Sequence, residues 1–445
     1  MRILVIGSGG REHALCWQLR NGTPGLELYC APGSAGIEQV ADLVTIATDE
    51  IHELADFARD LEIDLTVVGP ELPLALGIVD EFQNRGLRIF GPRQSAAQLE
   101  SSKVFAKEFM RRHDIPTGDF EVVHDAEQAR EAAARFGLPV VLKADGLAGG
   151  KGVLLVHDEV ELDQGISAFF EQRRFGASGD RVVVEELLCG EEVSFIGLSD
   201  GSRLLPLATS KDYKRIGEGD VGPNTGGMGA HSPSGVADAQ TSALVLERVM
   251  RATIEGMAAE DNPFVGFLYA GIMLTDDGPR VLEFNVRLGD PEAQALLLRL
   301  EDDLAQVLLQ GARGELEVPR LRFRQEAAAC LVLAAEGYPG TPVKGAAIQG
   351  LEAAQTHQGV EIFHAGSART TEGWAVAGGR VLNVCARGND LRQALRRAYD
   401  AARLIEWPGR QLRGDIGRRV LQSERIEHSG LHRMPSALIE DESGR

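Results

Sequence analysis

Lys143-Ala144-Asp145-Gly146-Leu147-Ala148-Gly149-Gly150-Lys151-Gly152 sets two lysines among four glycines. Apolar runs lie on both sides, at residues 139–144 and Val153–Val156, so the glycines turn a hairpin between two strands. A Walker-type phosphate loop needs Gly at position 145, Ser or Thr after the lysine, and a helix behind it. Here position 145 is Asp, Gly152 follows Lys151, and a strand comes next. A glycine-rich hairpin of this kind can close over a triphosphate as a flap, with backbone N–H groups and lysines facing the oxygens. Two lysines among four glycines make an ordinary flexible hairpin the weaker reading.

Upstream, the apolar run at 2–6 stops at Gly7-Ser8-Gly9-Gly10, and a helical stretch covers 11–20. Strand-like runs recur at 26–30, 43–46, 65–68 and 87–90 with helical segments between them, which predicts an open parallel α/β domain. Its ligand belongs at the strand C-terminal ends, where the loops 7–11, 32–36 and 69–71 converge. A dinucleotide fingerprint would place glycine at position 12, which is Glu, and an acidic residue after the second strand, which ends Tyr29-Cys30-Ala31-Pro32. A single phosphate on the helix N-terminus, with Arg11 beside it, suits the loop better.

Residues 95–112 read as one amphipathic helix with Lys103 and Lys107 one turn apart. A compact piece follows: a helix at 125–136, the flap hairpin, another helix and a strand at 181–185. Beyond it lie strands at 192–198 and 203–207, a Gly/Pro-rich loop, a long helix near 241–259, and a hairpin closed by Asp276-Asp277-Gly278. A new α+β unit begins near Glu326, with a strand at 328–334, a hairpin turning at Gly378-Gly379, and a helix bearing Leu391, Ala394, Leu395, Ala398 and Ala402. The residues after 424 form a loose tail.

In Val281-Leu282-Glu283-Phe284-Asn285-Val286-Arg287, alternation puts Glu283, Asn285 and Arg287 on one face and Leu282, Phe284 and Val286 in a core. A carboxylate beside an amide oxygen suits Mg²⁺, which takes one or two protein oxygens and completes its octahedron with phosphate and water. Arg287 adds a fork for carboxylate or phosphate. Glu185-Glu186 is a weaker signal, since an acidic pair at a strand end is ordinarily solvated.

The charge balance, 46 basic against 66 acidic residues, gives −20, which argues against general nucleic-acid binding and requires a local cluster of cations for any phosphorylated substrate. Five dispersed cysteines without a CxxC pair indicate free thiols in a reducing compartment. No apolar run reaches the roughly 18 residues of a membrane span, and residues 1–7 are too short for a signal peptide, so a cytoplasmic location is expected.

These pieces, in this order, resemble the ATP-grasp superfamily, and within it the phosphoribosylamine–glycine ligase family. The most specific stretch is Arg287-Leu288-Gly289-Asp290-Pro291-Glu292-Ala293-Gln294, similar to RFGDPExQ with Leu288 for Phe. Gly9-Gly10-Arg11-Glu12-His13-Ala14, Val68-Gly69-Pro70-Glu71 and Gly222–Ala230 also match, as do Lys211–Arg215 (QDxKR, with Lys211 for Gln) and Pro32–Gly36 (PGNAG, with one change).

The resemblance implies an N-terminal α/β domain over 1–102, a central ATP-grasp domain over 103–118 and 187–325, and a lid over 119–186. A C-terminal α+β domain over 326–424 and the tail 425–445 complete it. It also implies ligation of glycine to 5-phosphoribosylamine with ATP as co-substrate and Mg²⁺ or Mn²⁺ as cofactor, in a monomer or weak homodimer acting on small molecules alone. ATP would meet Lys103, Lys143, Gly149, Lys151, Glu185, Glu186, Leu188 and Glu192, with Glu191 the alternative on the ribose. The other substrates would meet Gly9, Gly10, Arg11, Glu12, Pro70, Glu71, Asp212, Lys214, Gly226, Arg287, Pro291 and Glu292. Glu283 and Asn285 would hold the metal, and Arg287, Lys143 and Asp290 would act in catalysis. A biotin-carboxylase-like carboxylase is the rival enzyme, although it lacks the 287–294 and 222–230 stretches. A non-catalytic nucleotide-binding regulator would be expected to lose Glu283 or Asn285.

Overall fold

The structure is a computed structural model that describes residues 1–147 and 152–422. The first sheet is wholly parallel, in the order Asp42–Leu43, Glu27–Pro32, Arg2–Gly7, Leu65–Val68, Ile89–Phe90. Its strand order reverses beside Arg2–Gly7, which places a crevice at that strand's C-terminal end. Ile3 and Val5 pack on one face with Leu15 and Leu19, while Leu4 and Ile6 pack on the other with Leu54 and Phe82. Helices on both faces explain why these strands are apolar throughout.

The expected helix over 95–112 is two helices, Gln98–Ser101 and Lys103–Arg112. Ser102 is extended between them (φ −135°, ψ 111°), and its Oγ accepts from Phe105 N at 3.0 Å. A serine preceding a helical run caps it more readily than it continues one, so Lys103 opens a helix rather than sitting in the middle of one.

The lid is an antiparallel sheet ordered Phe120–Val123, Val182–Glu186, Val140–Ala144, Val153–Val156. Helices Ala126–Phe136 and Glu159–Ile166 cover it, and Asp125 and Asp158 cap them by accepting from Gln128 N and Glu161 N, each at 2.8 Å. The lid has its own core, built from Leu142, Val184, Ala133, Leu162 and Phe169.

The central sheet runs Leu204–Pro206, Glu191–Asp200, Val265–Thr275, Gly278–Asn285. A bulge opposite Gly271 and Ile272 takes up Leu282 as an extra residue. The alternation expected from sequence is therefore shifted: Val281, Phe284 and Val286 are buried, while Leu282 is only half-buried.

The last large sheet contains Lys211–Asp212, Gly229–Ser232, Ala327–Ala334, Arg380–Gly388 and Val360–His364. Two of its strands thus come from the middle of the chain, and the Gly-rich segment between them grows out of the C-terminal unit. Gly378-Gly379 does not close a hairpin. Gly373–Val376 pairs with Ala347–Ile348 and Ser367–Thr370 in a small separate sheet, so the chain changes sheets there.

Candidate active site

Three groups of ionised side chains line the cleft where the domains meet. The first spans the lid and the central domain. Glu185, on Val182–Glu186, receives both Lys143 from the neighbouring lid strand and Lys107 from helix Lys103–Arg112. All three are buried. Lys143 Nζ also donates to Leu282 O at 3.1 Å, and Lys107 Nζ to Thr117 Oγ1 at 2.8 Å. Burial pulls the Lys107 ammonium down to about 8 despite Glu185 beside it. Burial opposes the charge on Glu185 too, but Lys143 and Lys107 outweigh it and hold the carboxyl below its ordinary range. Two ammonium groups on one carboxylate leave net positive charge at this wall.

The expected solvated acidic pair is therefore not one. Glu185 is the hub of a buried triad, and Glu186 accepts from Asp119 N (3.0 Å) and Arg280 Nη1 (2.7 Å). Leu188 is half-buried near Gly118, where a Cβ would come within 3.5 Å of Leu188 Cγ. Glu192 faces the cleft, and Glu191 pairs with Lys211 at a more exposed position. The flap residues Gly149 and Lys151 lie outside the described residues. The flap's first residue, Asp145, is tied to the central helix: Oδ1 accepts from Ser102 Oγ (2.8 Å) and Val104 N (3.1 Å), and Oδ2 pairs with Arg181 at 2.5 Å.

The second group surrounds the expected metal residues. Lys214 Nζ bridges Glu192 and Glu283, 3.4 Å from the latter's Oε1. Asn285 Oδ1 accepts from Arg287 Nη2 at 2.8 Å. Burial opposes ionisation of Glu283, yet Lys214, Lys103, Lys143 and Arg287 together hold its carboxyl at about 2. Across the sheet stands Gly271, where a Cβ would lie 3.6 Å from Glu283 Cγ and 3.8 Å from Glu192 Oε1. A charged and a neutral hard oxygen, here paired with Lys214 and Arg287, suit Mg²⁺ shared with phosphate oxygens. No cluster of three or more His, Cys, Asp or Glu able to hold an ion occurs among the described residues.

The third group joins the N-terminal crevice to the 287–294 stretch. Arg287 meets Glu100 (2.9 Å), Glu71 (3.3 Å) and Leu288 O (3.2 Å). Arg11 is buried, its Nε on Glu12 Oε1 (2.6 Å) and its Nη1 on Leu288 O (3.1 Å). It therefore braces the loop onto the central domain, beside the helix N-terminus where the sequence placed a phosphate. Glu12 Oε2 accepts from Gly9 N at 2.7 Å, and any Cβ on Gly69 would strike the Glu12 side chain. Loops 7–11 and 69–71 thus converge as expected, and Pro70 and Glu71 open the helix Glu71–Ala75 beside them. Gly10, the first residue of its helix, abuts Asn383 and Gln294, leaving no room for a side chain.

Asp290 is held by Gln294 (2.7 Å) and Arg380 (2.9 Å), and Arg380 and Arg11 keep it ionised against burial. Burial pushes Glu292 up and Asp212 well up, and Ser194 Oγ donates to Glu292 at 3.3 Å. Pro291 lies against Gly227, one residue beyond Gly226.

Sequence reasoning did not single out Glu100, Tyr338 or Arg380, and it gave Lys107 no role. Lys107 was visible as the residue one turn after Lys103. Glu100, Tyr338 and Arg380 carry no local signal, because tertiary folding alone brings them to the cleft.

An open α/β domain, an antiparallel lid sheet in which Val140–Ala144 pairs with Val153–Val156, and a lysine–glutamate triad near a Glu–Asn pair point to an ATP-grasp enzyme. The family models agree: the N domain of phosphoribosylglycinamide synthetase matches residues 1–100, its ATP-grasp (A) domain 101–293, and its C domain 328–419. A phosphoribosylamine–glycine ligase of Brucella melitensis is 46% identical over 426 residues, covering 96% of this chain and 99% of that protein. The crystal structure of phosphoribosylamine–glycine ligase from Thermotoga maritima aligns with a TM-score of 0.82 at 34% identity, over 93% of this chain and 100% of that one. The chain belongs to the phosphoribosylamine–glycine ligase family, the ATP-grasp ligases of purine biosynthesis. A biotin carboxylase from Campylobacter jejuni aligns with a TM-score of 0.71 at 16% identity, over 92% of each chain, which shows a shared fold.

Proposed function

We propose that the chain joins glycine to 5-phosphoribosylamine at the expense of ATP, giving glycinamide ribonucleotide, ADP and phosphate. The triphosphate enters between the lid and the central sheet, where Lys143 and Lys107 leave Glu185 in part for its oxygens and Lys103 faces it from the helix start. Gly149 and Lys151 belong to the flap that covers it. The backbone at Glu185, Glu186 and Leu188 meets the adenine, and Glu192, rather than Glu191, meets the ribose. Glu283 and Asn285 would hold Mg²⁺ or Mn²⁺, which when bound would supply charge neutralisation for phosphoryl transfer.

A glycine carboxylate oxygen attacks the γ-phosphorus and ADP departs, leaving glycyl phosphate. The amine of phosphoribosylamine then attacks the glycyl carbonyl, and the phosphate it expels takes up the proton the amine loses. Arg287 sits between these events, with Glu71 and Glu100 fixing its plane so that its fork meets the developing charge. Asp290, kept ionised by Arg380, orients the acceptor rather than taking its proton. The phosphoribosyl group lies along Gly9, Gly10, Glu12 and Pro70, with Arg11 bracing that loop. Lys214, Asp212, Gly226, Pro291 and Glu292 close the opposite side. The enzyme acts in the cytoplasm on small molecules as a monomer or weak homodimer, and nucleic acid has no place in this reading. Among the described residues no helix is long and apolar enough to cross a membrane.

The observation that carries the reading is the Lys107–Glu185–Lys143 triad beside the Glu283 strand, where Lys143 donates to Leu282 O and helps hold the Glu283 carboxyl low. ADP release assayed with glycine alone, phosphoribosylamine alone and both should be sustained only with both. Sustained release with bicarbonate in place of either would overturn it in favour of a carboxylase.

A further inference from the structure

The segment from Tyr213 to Met228 is rooted at both ends in the C-terminal sheet. Tyr213 N donates to Gly229 O (3.0 Å) and Met228 N to Tyr213 O (2.8 Å). The stretch 287–294 belongs to the central domain. Between them stands one side chain from neither segment. Arg380 Nη1 donates to Gly226 O and to Asp290 O (2.6 Å), and Nη2 to Asp290 Oδ2 (2.9 Å). Tyr338 Oη accepts from Gly226 N at 2.9 Å, so both polar groups of the Gly226 backbone are taken by C-terminal side chains. The fit is close: a Cβ on Gly226 would lie 3.0 Å from Arg380 Cζ, and one on Gly379 would collide with the Tyr338 ring.

We infer that Arg380, with Tyr338 beside it, is a positioning residue for the acceptor amine, clamping the Gly226–Gly227 turn against Asp290–Pro291. The inference rests on the reading that these two segments meet phosphoribosylamine. A planar guanidinium reaches two carbonyls and a carboxylate at once, which an ammonium on a single point cannot do. The C-terminal domain thereby enters the reaction by fixing the distance between two walls of one subsite, and it leaves the nucleotide wall alone.

The test is steady-state kinetics of the full-length enzyme on all three substrates, for Arg380→Ala, Arg380→Lys and Tyr338→Phe, with thermal unfolding of each. Arg380→Ala should raise the phosphoribosylamine KM at least tenfold, with the ATP and glycine values within twofold, and should lower the melting temperature because Asp290 loses its cation. Arg380→Lys should recover only part of this, and added guanidinium should restore Arg380→Ala but not the wild type. Tyr338→Phe should show a smaller shift of the same kind. A folded Arg380→Ala variant with unaltered constants for every substrate would overturn the clamp while leaving the proposed reaction intact. A selective rise in the glycine or ATP KM would show that these segments serve another substrate, which overturns both the clamp and the site reading behind it. An equal loss on all three substrates with a fallen melting temperature and no guanidinium rescue would reduce Arg380 to a structural residue.

Discussion

The two ends of the cleft use ionised side chains in opposite ways. At the nucleotide end, two lysines share one carboxylate, Glu185, so an arriving triphosphate can take over partners that already exist. At the acceptor end, each arginine is fixed by several acceptors from different domains. Arg287 holds Glu71 and Glu100, Arg11 holds Glu12 and Leu288 O, and Arg380 holds Asp290 and Gly226 O. On the proposed reading, one end would exchange ion pairs with its ligand, while the other is already fixed by its own partners. A phosphoryl donor that brings its own charge needs the first arrangement. An attacking amine that must be aimed needs the second.

The largest effect expected falls on the donor chemistry. Glu283→Gln keeps the side chain's shape and loses the charge that balances the metal. Turnover should fall on the order of a thousandfold, as for losing several kcal/mol of charge stabilisation in phosphoryl transfer. Thermal unfolding should stay near wild type, and near-normal rates at limiting Mg²⁺ would remove Glu283 from the metal site.

Next come two buried-charge deletions that should behave differently. Glu185→Gln leaves two lysines facing each other and should destabilise the free enzyme by about 3 kcal/mol. Saturating Mg²⁺–ATP should recover most of that loss, because phosphate oxygens replace the missing carboxylate. Arg287→Ala strands Glu71 and Glu100 at a cost of similar size, and no nucleotide should repair it. Thermal melts with and without Mg²⁺–ATP distinguish the two, and equal recovery in both would erase the contrast between the ends.

The acceptor scaffold should also be the acid-sensitive part. His364 N donates to His13 Nδ1 at 2.9 Å where the N-terminal helix meets the C-terminal sheet. Burial holds His13 down at about 3 and His364 at about 4, so both are neutral in the folded chain. The unfolded chain, with ordinary imidazoles near 6.5, binds more protons between those values and 6.5, so stability falls as pH drops through that window. His13→Gln should recover about 2 kcal/mol of the acid loss at pH 5, read from denaturant unfolding at pH 7 and pH 5. An unchanged acid limb would show that His13 is not what titrates.

The smallest effect is on encounter. In a chain of net charge −20, the cations gathered at the cleft draw in polyanions, and salt screens that attraction beyond roughly 8 Å. The apparent KM for ATP and phosphoribosylamine should rise a fewfold with ionic strength, while that for zwitterionic glycine stays flat. A parallel rise for glycine would point to a general salt effect on the protein.

The parts of this molecule legible in sequence are those written in local pattern. The parallel sheet, the antiparallel pairing of the strands at 140–143 and 153–156, and the face bearing Glu283 and Asn285 follow from alternation and glycine placement. The bulge at Leu282 was not legible, because it depends on the register against Gly271 and Ile272. Ser102 could have been read as a cap, but the apolar spacing around it continued unbroken. The partners of Arg11, Glu12 and Leu288 O, were not legible, because the latter comes from a distant part of the chain. The sheet that joins residues 211–232 to the C-terminal unit is a long-range pairing, and so Arg380 and Tyr338 were invisible as site residues.

The central claim is that glycine's carboxylate is activated by transfer of the γ-phosphoryl group before the amine attacks. Glycine labelled with ¹⁸O in its carboxylate, turned over with unlabelled ATP and phosphoribosylamine, tests it directly. The released phosphate should carry one labelled oxygen per product formed, because the oxygen that attacks the γ-phosphorus leaves with it. Phosphate free of label, with both carboxylate oxygens accounted for elsewhere, would contradict the acyl-phosphate route and the arrangement of the site built on it.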